Sequence, residues 1–413
     1  MGPLAWLYAR QGQVKPGLER IRALLARLGH PQEAYPVALI GGTNGKGTTA
    51  RALAAILEET GLRVGLYTSP HLVDFRERVA VQGQLLSEAR LLALLEEVRP
   101  HAEALEASFF EVATALALKH FAQEGVEFAV LEVGLGGRLD ATNATEPHLC
   151  VVTNVGSDHL EVLGPTLRDV AREKAGIFRK GVPALTAARG EGLQELRERA
   201  RALGTPLWIL GEAFSLSGVQ ALGEGLAFRL GLKGEERTFR TRLLGPHQAE
   251  NLALAAVAGR LLGAGWEAVE RGLSRVENPG RLERLPWPKG KELLLDGAHN
   301  PEGAWALREA LRFHRLLPAA FVLGFSREKD HRAMAEALGG LGPVVLTRYA
   351  SPRSQDPKAL LPLFPGALVE EEPLKALEKA LALEDRVVVA GSLYLVGEVK
   401  RALLGLPPEE RWQ

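Results

Sequence analysis

The densest chemistry in the chain lies in Gly41-Gly42-Thr43-Asn44-Gly45-Lys46-Gly47-Thr48. This run follows the apolar stretch Val37-Ala38-Leu39-Ile40 and precedes a helix-forming segment over 49–59. A buried strand, a glycine turn and a helix start line up backbone N–H groups, and Lys46 adds a positive charge. That combination is how a protein holds the phosphates of a nucleotide. Gly47 stands between the lysine and the hydroxyl residue, so Thr48 and Thr49 compete for the place from which a hydroxyl reaches Mg²⁺.

Further polar residues sit where apolar runs end, the side on which open α/β sheets bind ligands. Glu132 closes Leu131-Glu132-Val133-Gly134 and reads either as a second metal contact or as a half-exposed strand-end carboxylate. The glycines of Gly134-Leu135-Gly136-Gly137-Arg138-Leu139-Asp140 let backbone approach a flat ligand, whose polar edge Arg138 or Asp140 could bind. His159, in Gly156-Ser157-Asp158-His159, is either a neutral nitrogen ligand or a hydrogen-bonded core residue. Lys174 reads ordinarily as a solvated helix-end charge, and near metal-bound phosphates as an electrostatic or modified group. In the second half, Leu293-Leu294-Leu295-Asp296-Gly297-Ala298-His299-Asn300-Pro301 pairs Asp296 with His299 after a strand, and Pro301 starts a helix. Arg281 follows Pro279-Gly280, where a guanidinium could grip phosphate. Lys329-Asp330 makes a further strand-end candidate.

The elements that must carry these residues alternate. Strands are expected over 37–40, 64–67, 128–133 and 150–155, and helices over 49–59, 88–98, 109–121 and 166–175. Such alternation predicts an α/β protein with a mostly parallel sheet covered by helices. Between 210 and 243 short alternating pieces predict a small antiparallel patch, followed by long helices over 249–262 and 266–273. A boundary is expected near Asn278-Pro279-Gly280. Beyond it, strands over 292–295, 320–323, 344–346 and 386–390 alternate with helices over 302–313, 331–338, 374–381 and 393–403. At 413 residues the chain is long enough for two such domains, joined so that a cleft can open and close.

Lys plus Arg and Asp plus Glu number 50 each, so no basic excess points to nucleic acid. No run reaches membrane-spanning length, and the start Met1-Gly2-Pro3-Leu4-Ala5 lacks a basic leader; a cytoplasmic protein is expected. The single cysteine, Cys150, excludes an intrachain disulfide and sits in an apolar run, which predicts a buried, inert thiol.

The ensemble resembles the folylpolyglutamate synthase/dihydrofolate synthase family, within the Mur ligase superfamily. The resemblance spans nearly the whole chain. It rests on Gly42-Thr43-Asn44-Gly45-Lys46-Gly47-Thr48, Tyr67-Thr68-Ser69-Pro70-His71-Leu72, Leu131 to Asp140, Asp158-His159 with Leu163-Gly164, Glu173-Lys174-Ala175-Gly176-Ile177, Asp296 to Pro301 and Gly391-Ser392-Leu393-Tyr394-Leu395. It implies a P-loop ATPase-like domain over 1–278 holding ATP and the pterin or folate. It also implies a Rossmann-like domain over 279–413 that closes over the site and helps bind glutamate. ATP phosphorylates a substrate carboxylate, the L-glutamate amine attacks the acyl phosphate, and phosphate leaves. Carried over, Asn44, Gly45, Lys46, Gly47, Thr48, Thr49, Asn251, Arg281 and Asp296 bind nucleotide. Thr48, Ser69, Glu132 and His159 hold two Mg²⁺ ions. Lys46, Lys174 (carbamylated in this superfamily), His159, Asp296 and His299 serve catalysis. Pro70, His71, Arg78, Phe109, Arg138 and Asp140 surround the dihydropteroate or reduced folate. A monomer is expected. Thr48 stands where the family more usually has serine, a mild departure because the hydroxyl remains.

Three other readings explain less. A nucleotide kinase leaves the second domain and the Asp296–Pro301 motif without a role. A nucleotide switch does not need so many polar strand ends. A dinucleotide oxidoreductase lacks a clean Gly-x-Gly-x-x-Gly fingerprint.

Overall fold

The computed structural model describes residues 2–12 and 15–407. The chain forms two compact units. The first comprises Met1–Val219, Ala227–Thr241 and Gln248–Val276, and the second Gln220–Leu226, Arg242–His247 and Glu277–Gln413.

The first unit is built on an eight-stranded sheet. Its strands are β1 (Val37–Gly41), β2 (Val64–Tyr67), β3 (Val79–Val81), β4 (Gln84–Leu85), β5 (Phe128–Glu132), β6 (Pro147–Val152), β7 (Ala184–Thr186) and β8 (Leu207–Ile209). They lie in the order β4-β3-β2-β5-β1-β6-β7-β8. β2, β5, β1, β6, β7 and β8 run parallel, and the β2–β3 and β3–β4 pairings at one edge are antiparallel. β1 and β5 are buried at every residue, as an apolar strand covered on both faces must be. The carboxyl ends of β1, β2, β5 and β6 lie side by side and carry the phosphate loop, Ser69, Glu132 and Asn154 respectively.

The phosphate-loop helix, Lys46–Glu58, packs against Gln248–Leu261 and Trp266–Arg275. The approach to the second of these is close because Gly272 has no side chain. A Cβ there would lie 2.7 Å from the backbone nitrogen of Ile56. Arg275 seals the exposed end of that contact on Glu58 at 2.7 Å. The Cys150 thiol donates to the Ile177 carbonyl at 3.1 Å, and burial pushes its pKa up to about 12, so the inert reading holds. β9 (Phe214–Ala221), β10 (Leu226–Leu232) and β11 (Glu235–Thr241) form a separate three-stranded sheet in the order β11-β10-β9. The β10–β11 connection is the two residues Lys233-Gly234, both at positive φ, a hairpin turn that makes the pair antiparallel.

The second unit carries a six-stranded sheet, β12-β13-β17-β14-β15-β16. Its strands are β12 (Glu283–Pro286), β13 (Glu292–Leu295), β14 (Ala320–Leu323), β15 (Val344–Leu346), β16 (Leu368–Val369) and β17 (Arg386–Ala390). All pairs are parallel except the β12 edge. Several boundaries differ from expectation, among them the strand expected over 150–155, which runs Pro147–Val152. The phosphate helix starts at Lys46 because Gly45, at φ +82°, takes the capping position. The helix expected to stop at 98 runs Glu88–Ala104, straight through Pro100. No helix among the described residues is long and apolar enough to cross a membrane.

In the second unit the Nδ1 atom of His247 is sealed from solvent with no hydrogen-bond partner, although part of the residue is exposed. Burial, with Arg281 and His314 facing it, holds the pKa down at about 4. An unfolded histidine takes its proton near pH 6.5. The folded state therefore binds fewer protons as pH falls through 6.5 toward 4, and stability drops in that window. Its contribution reaches up to about 1.4 kcal/mol per pH unit. Urea midpoints measured from pH 7 to 4.5 should fall less steeply in His247→Gln than in the parent; parallel slopes would remove this account.

Candidate active site

The phosphate loop is clamped from the carboxyl end of β6. Asn154 Oδ1 accepts from the Asn44 N–H at 2.9 Å, Thr153 Oγ1 donates to the Asn44 carbonyl at 2.6 Å, and the Gly156 N–H donates to Thr43 Oγ1 at 2.9 Å. Gly42, at φ +138°, lies so close to β6 that a Cβ would fall 1.8 Å from Thr153 Oγ1. At Gly45 a Cβ would fall 2.1 Å from Asn251 Oδ1, so Asn251 is seated directly against the loop. Lys46 Nζ donates to the carbonyls of Gly42 and Thr43 at 3.1 and 3.2 Å, folding its ammonium back over the loop. The two hydroxyl candidates are now distinguishable. Thr49 is fully buried and spends its Oγ1 on the Asn251 carbonyl at 3.4 Å, whereas Thr48 sits one residue nearer the loop.

Glu132 lies across from the helix start. Its Oε2 accepts from the Ser69 N–H at 2.9 Å, and a Cβ on Gly47 would lie 3.5 Å from that same oxygen. Gly47 thus leaves the face of the helix open toward the carboxylate. One carboxylate and nearby hydroxyls suit Mg²⁺, which is held through one or two carboxylates plus substrate phosphates. No group of three or more His, Cys, Asp and Glu side chains among the described residues makes a self-sufficient metal site. The donor set therefore fits a cation that arrives with its phosphates. His159 is not a core residue. It stands at φ +55°, about 40% exposed, with carboxylate oxygens of Glu161 and Asp158 at 3.6 and 3.9 Å.

Lys174 overturns its ordinary reading, because at 3% exposure it is no solvated helix end. Its helix, Leu167–Lys174, is pinned by Arg168 and Arg172 on the buried Glu195 at 3.3 and 3.0 Å. The glycine loop lies against the helix end, where a Cβ on Gly137 would come 2.9 Å from the Lys174 carbonyl. Arg138 joins this contact, its guanidinium 2.8 Å from Glu173 and its N–H on the Glu173 carbonyl at 2.9 Å. Asp140 departs from the expected substrate contact. It accepts from the N–H groups of Gly134, Leu135 and Thr142 and from Thr142 Oγ1, all within 3.0 Å. Burial pushes its pKa up and those four bonds oppose the shift. Asp140 is the internal brace of the loop.

Three of the residues expected around the pterin, His71, Arg78 and Phe109, are packed with one another. Arg78 Nε donates to His71 Nδ1 at 2.7 Å, so the ring proton sits on Nε2, the atom 3.4 Å from the Tyr8 hydroxyl. Phe109 already carries Tyr8, stacked at 5.9 Å, and the Arg78 guanidinium at 5.1 Å. Phe110 packs on Gly134, whose Cβ would meet the ring at 2.5 Å. His71 and Arg78 are buried; Pro70, after a cis peptide with Ser69, is exposed. Glu77 holds the 69–78 loop by accepting from the N–H groups of Leu72, Val73 and Asp74 at 2.8 Å each. Tyr8 and Phe75 had no motif to mark them, and only the aromatic end of the short helix Pro3–Tyr8 could have drawn attention to the former.

In the second unit Asp296 leaves β13 and accepts from the N–H groups of Leu282 and Ala298 at 2.8 and 2.9 Å. Burial pushes its pKa up, and the neighbouring Arg281 guanidinium pulls it down. His299 Nδ1 bonds the Gly297 carbonyl at 2.8 Å and so carries the proton, making Nε2 the acceptor nitrogen. A Cβ on Gly297 would lie 3.1 Å from an Arg281 amino group, so Arg281, Asp296 and His299 share one corner. Asn300 caps the helix Pro301–Phe313. Asp330 spends its carboxylate on the N–H of Ala333 as a helix cap, which gives the Lys329-Asp330 pair a structural reading.

Two family models match in succession: the Mur ligase middle domain over residues 40–259 and the Mur ligase glutamate ligase domain over 280–393. The dihydrofolate synthase/folylpolyglutamate synthase of Bacillus subtilis is 35% identical, covering 97% of this chain and 98% of that protein. The crystal structure of folylpolyglutamate synthase from Thermotoga maritima superposes with a TM-score of 0.87 at 36% identity, over 99% of this chain and 98% of that one. Mycobacterium tuberculosis folylpolyglutamate synthase complexed with ADP gives 0.90 at 30% identity, over 98% of each chain. Both Mur ligase modules are present in order and the relatives match from end to end, so this chain belongs to the dihydrofolate synthase/folylpolyglutamate synthase family of the Mur ligase superfamily.

Proposed function

We propose that the protein is an ATP-dependent ligase that adds L-glutamate to dihydropteroate and to the γ-carboxylate of tetrahydrofolyl-glutamates, releasing ADP and phosphate. The observation that carries this reading is the clamped loop Gly42–Thr48 with Lys46 folded over it and Glu132 facing the bare Gly47. The loop N–H groups and Lys46 bind and orient the ATP phosphates, and Asn251 abuts the same loop from the side. The substrate carboxylate oxygen attacks the γ-phosphorus and ADP leaves. The glutamate amine then attacks the acyl carbon, loses a proton, and phosphate departs. Mg²⁺, two ions in this reading, supplies charge neutralisation on the phosphates, with Thr48, Ser69, Glu132 and His159 as its protein donors. We assign Arg281 to the nucleotide, Asp296 and His299 to the glutamate step, and Lys174 to a carbamylated form. Pro70, His71, Arg78, Phe109 and Arg138 shape the surroundings of the pterin, with His71, Arg78 and Phe109 acting as a packed wall. We assign the protein to the cytoplasm and to a monomeric state.

ADP release is measured with MgATP, with and without L-glutamate, on dihydropteroate and on tetrahydrofolate separately, with products weighed. Glutamate-dependent turnover on both acceptors, each gaining one glutamyl mass, is expected. Turnover on one alone makes the protein a monofunctional member of the family, and ADP release indifferent to glutamate ends the ligase reading.

A further inference from the structure

Arg51 has no place in any motif quoted above, yet it stands on the phosphate-loop helix exactly one helical spacing, i to i+4, from Gly47. Side chains on a helix lean toward its N-terminus, so Arg51 covers the face that Gly47 leaves bare. That face is the one turned to Glu132. The guanidinium donates to Thr68 Oγ1 at 3.4 Å. Thr68 is itself the hinge between β2 and the 69–78 loop. Its N–H bonds the Arg78 carbonyl at 3.0 Å and its hydroxyl reaches the Glu77 carbonyl at 3.4 Å. The next residue, Ser69, gives its N–H to Glu132. Burial lowers the Arg51 pKa, and the negative charges of Glu132 and Glu77 oppose that shift.

We propose that Arg51 is a positioning residue for the ligase reaction, tying the phosphate-loop helix to the β2 end so that Ser69, Glu132 and the 69–78 substrate loop keep one register against the ATP phosphates. The proposal rests on the function given above for its kinetic arm only. Three separate segments bring a donor or acceptor to the site: the loop after β1, the loop after β2 and the end of β5. Backbone bonding explains how β1, β2 and β5 align, and the helix packs on β2 and β5; the Arg51–Thr68 hydrogen bond adds a side-chain tie from the helix to the start of the β2 loop. The planar Arg51 guanidinium makes that tie through the Thr68 hydroxyl, with the charges of Glu132 and Glu77 in its surroundings. A lysine would keep the charge and lose the fork.

Arg51→Gln and Arg51→Lys are compared with the parent in two measurements. Hydrogen exchange on the full chain without ligand reads the anchoring directly. In Arg51→Gln the amides of Ser69, Leu72, Val73 and Asp74 should exchange about tenfold faster, while those in the centre of the Lys46–Glu58 helix change little. Steady-state ADP release should show kcat down by about 10-fold to 100-fold, with KM for ATP within threefold of the parent, because the phosphates still find the loop. Arg51→Lys should recover part of both effects. Unchanged exchange over 69–74 in Arg51→Gln overturns the proposal, as does acceleration spread evenly over the domain, or KM for ATP rising in step with the loss of kcat. If Arg51→Gln does not fold, Arg51→Lys decides alone: parent-like exchange and kcat overturn the proposal, and faster exchange confined to 69–74 supports it. If the parent itself shows no glutamate-dependent turnover, the functional reading has failed, and the exchange data still decide whether Arg51 anchors the loop.

Discussion

Lys46→Met lowers ligation by about a thousandfold in kcat on either acceptor, a loss of ~4 kcal/mol in transition-state stabilisation. The ammonium rests on the carbonyls of Gly42 and Thr43, two oxygens that otherwise crowd the same turn. On the proposed function, phosphates in the loop would draw the lysine from those carbonyls to the β and γ oxygens. Charge spread over the transferring phosphoryl group is greatest in the transition state, so the cation counts for more there than in the bound ground state. The fall should therefore appear in kcat more than in KM for ATP. Methionine keeps the length of the stem and its packing along the helix start. The clamp from Asn154, Thr153 and Gly156 onto Thr43 and Asn44 involves no lysine atom, so the loop itself should survive. Calorimetric unfolding within a few degrees of the parent, together with the kcat loss, is the expected pair of results. A variant that turns over within tenfold of the parent would mean that the loop N–H groups alone carry the phosphates.

How much of this was legible in the sequence depended on whether a residue's surroundings were local. The strands Glu292–Leu295, Ala320–Leu323, Val344–Leu346 and Arg386–Ala390 fall on their expected residues, because a short apolar run bounded by charge or glycine has no other stable place than a buried parallel sheet. β3, β4, β7, β8 and β16 were too short to announce themselves, and β12 (Glu283–Pro286) carries a single leucine between charged residues and a proline. The phosphate loop was legible because its glycines are required by contacts within a few residues of sequence and by one neighbouring strand end. For Lys174 the sequence left a solvated and a buried reading open, for the opposite reason. Arg172 and Glu173 beside it look solvated, and what holds its helix in place, Glu195 under Arg172 and the Gly137 backbone against the helix end, is distant along the chain. Asp140 offered a usable clue that was passed over. An aspartate two residues before Thr142 is the ordinary pattern of a side chain capping its own turn, and that is where its oxygens are found. Arg51 offered none, since an arginine on a helix is unremarkable until Gly47, one turn earlier, is seen to leave its face open.

Lys174→Ala should lower kcat by about a hundredfold, and a small carboxylate such as acetate should restore part of the loss. With only 3% of the residue exposed, the Lys174 side chain is shielded from bulk water, where a carbamate would be readily hydrolysed. An unprotonated amine is the form that adds CO₂, giving a carbamate and one proton. The product is an anion with carboxylate-like oxygens, the charge that a phosphate-bound Mg²⁺ attracts. Alanine removes both the amine and the stem, leaving a space into which acetate can bring the same two oxygens without a covalent tether. Rescue should therefore saturate with acetate, and an uncharged amide of the same size should not replace it. Labelled bicarbonate gives the direct reading: a carbamate carbon signal in the parent that is missing from Lys174→Ala. A parent with no such signal and a Lys174→Ala variant indifferent to acetate would return the lysine to a purely electrostatic or packing role, in which case Lys174→Arg should retain more activity than Lys174→Glu.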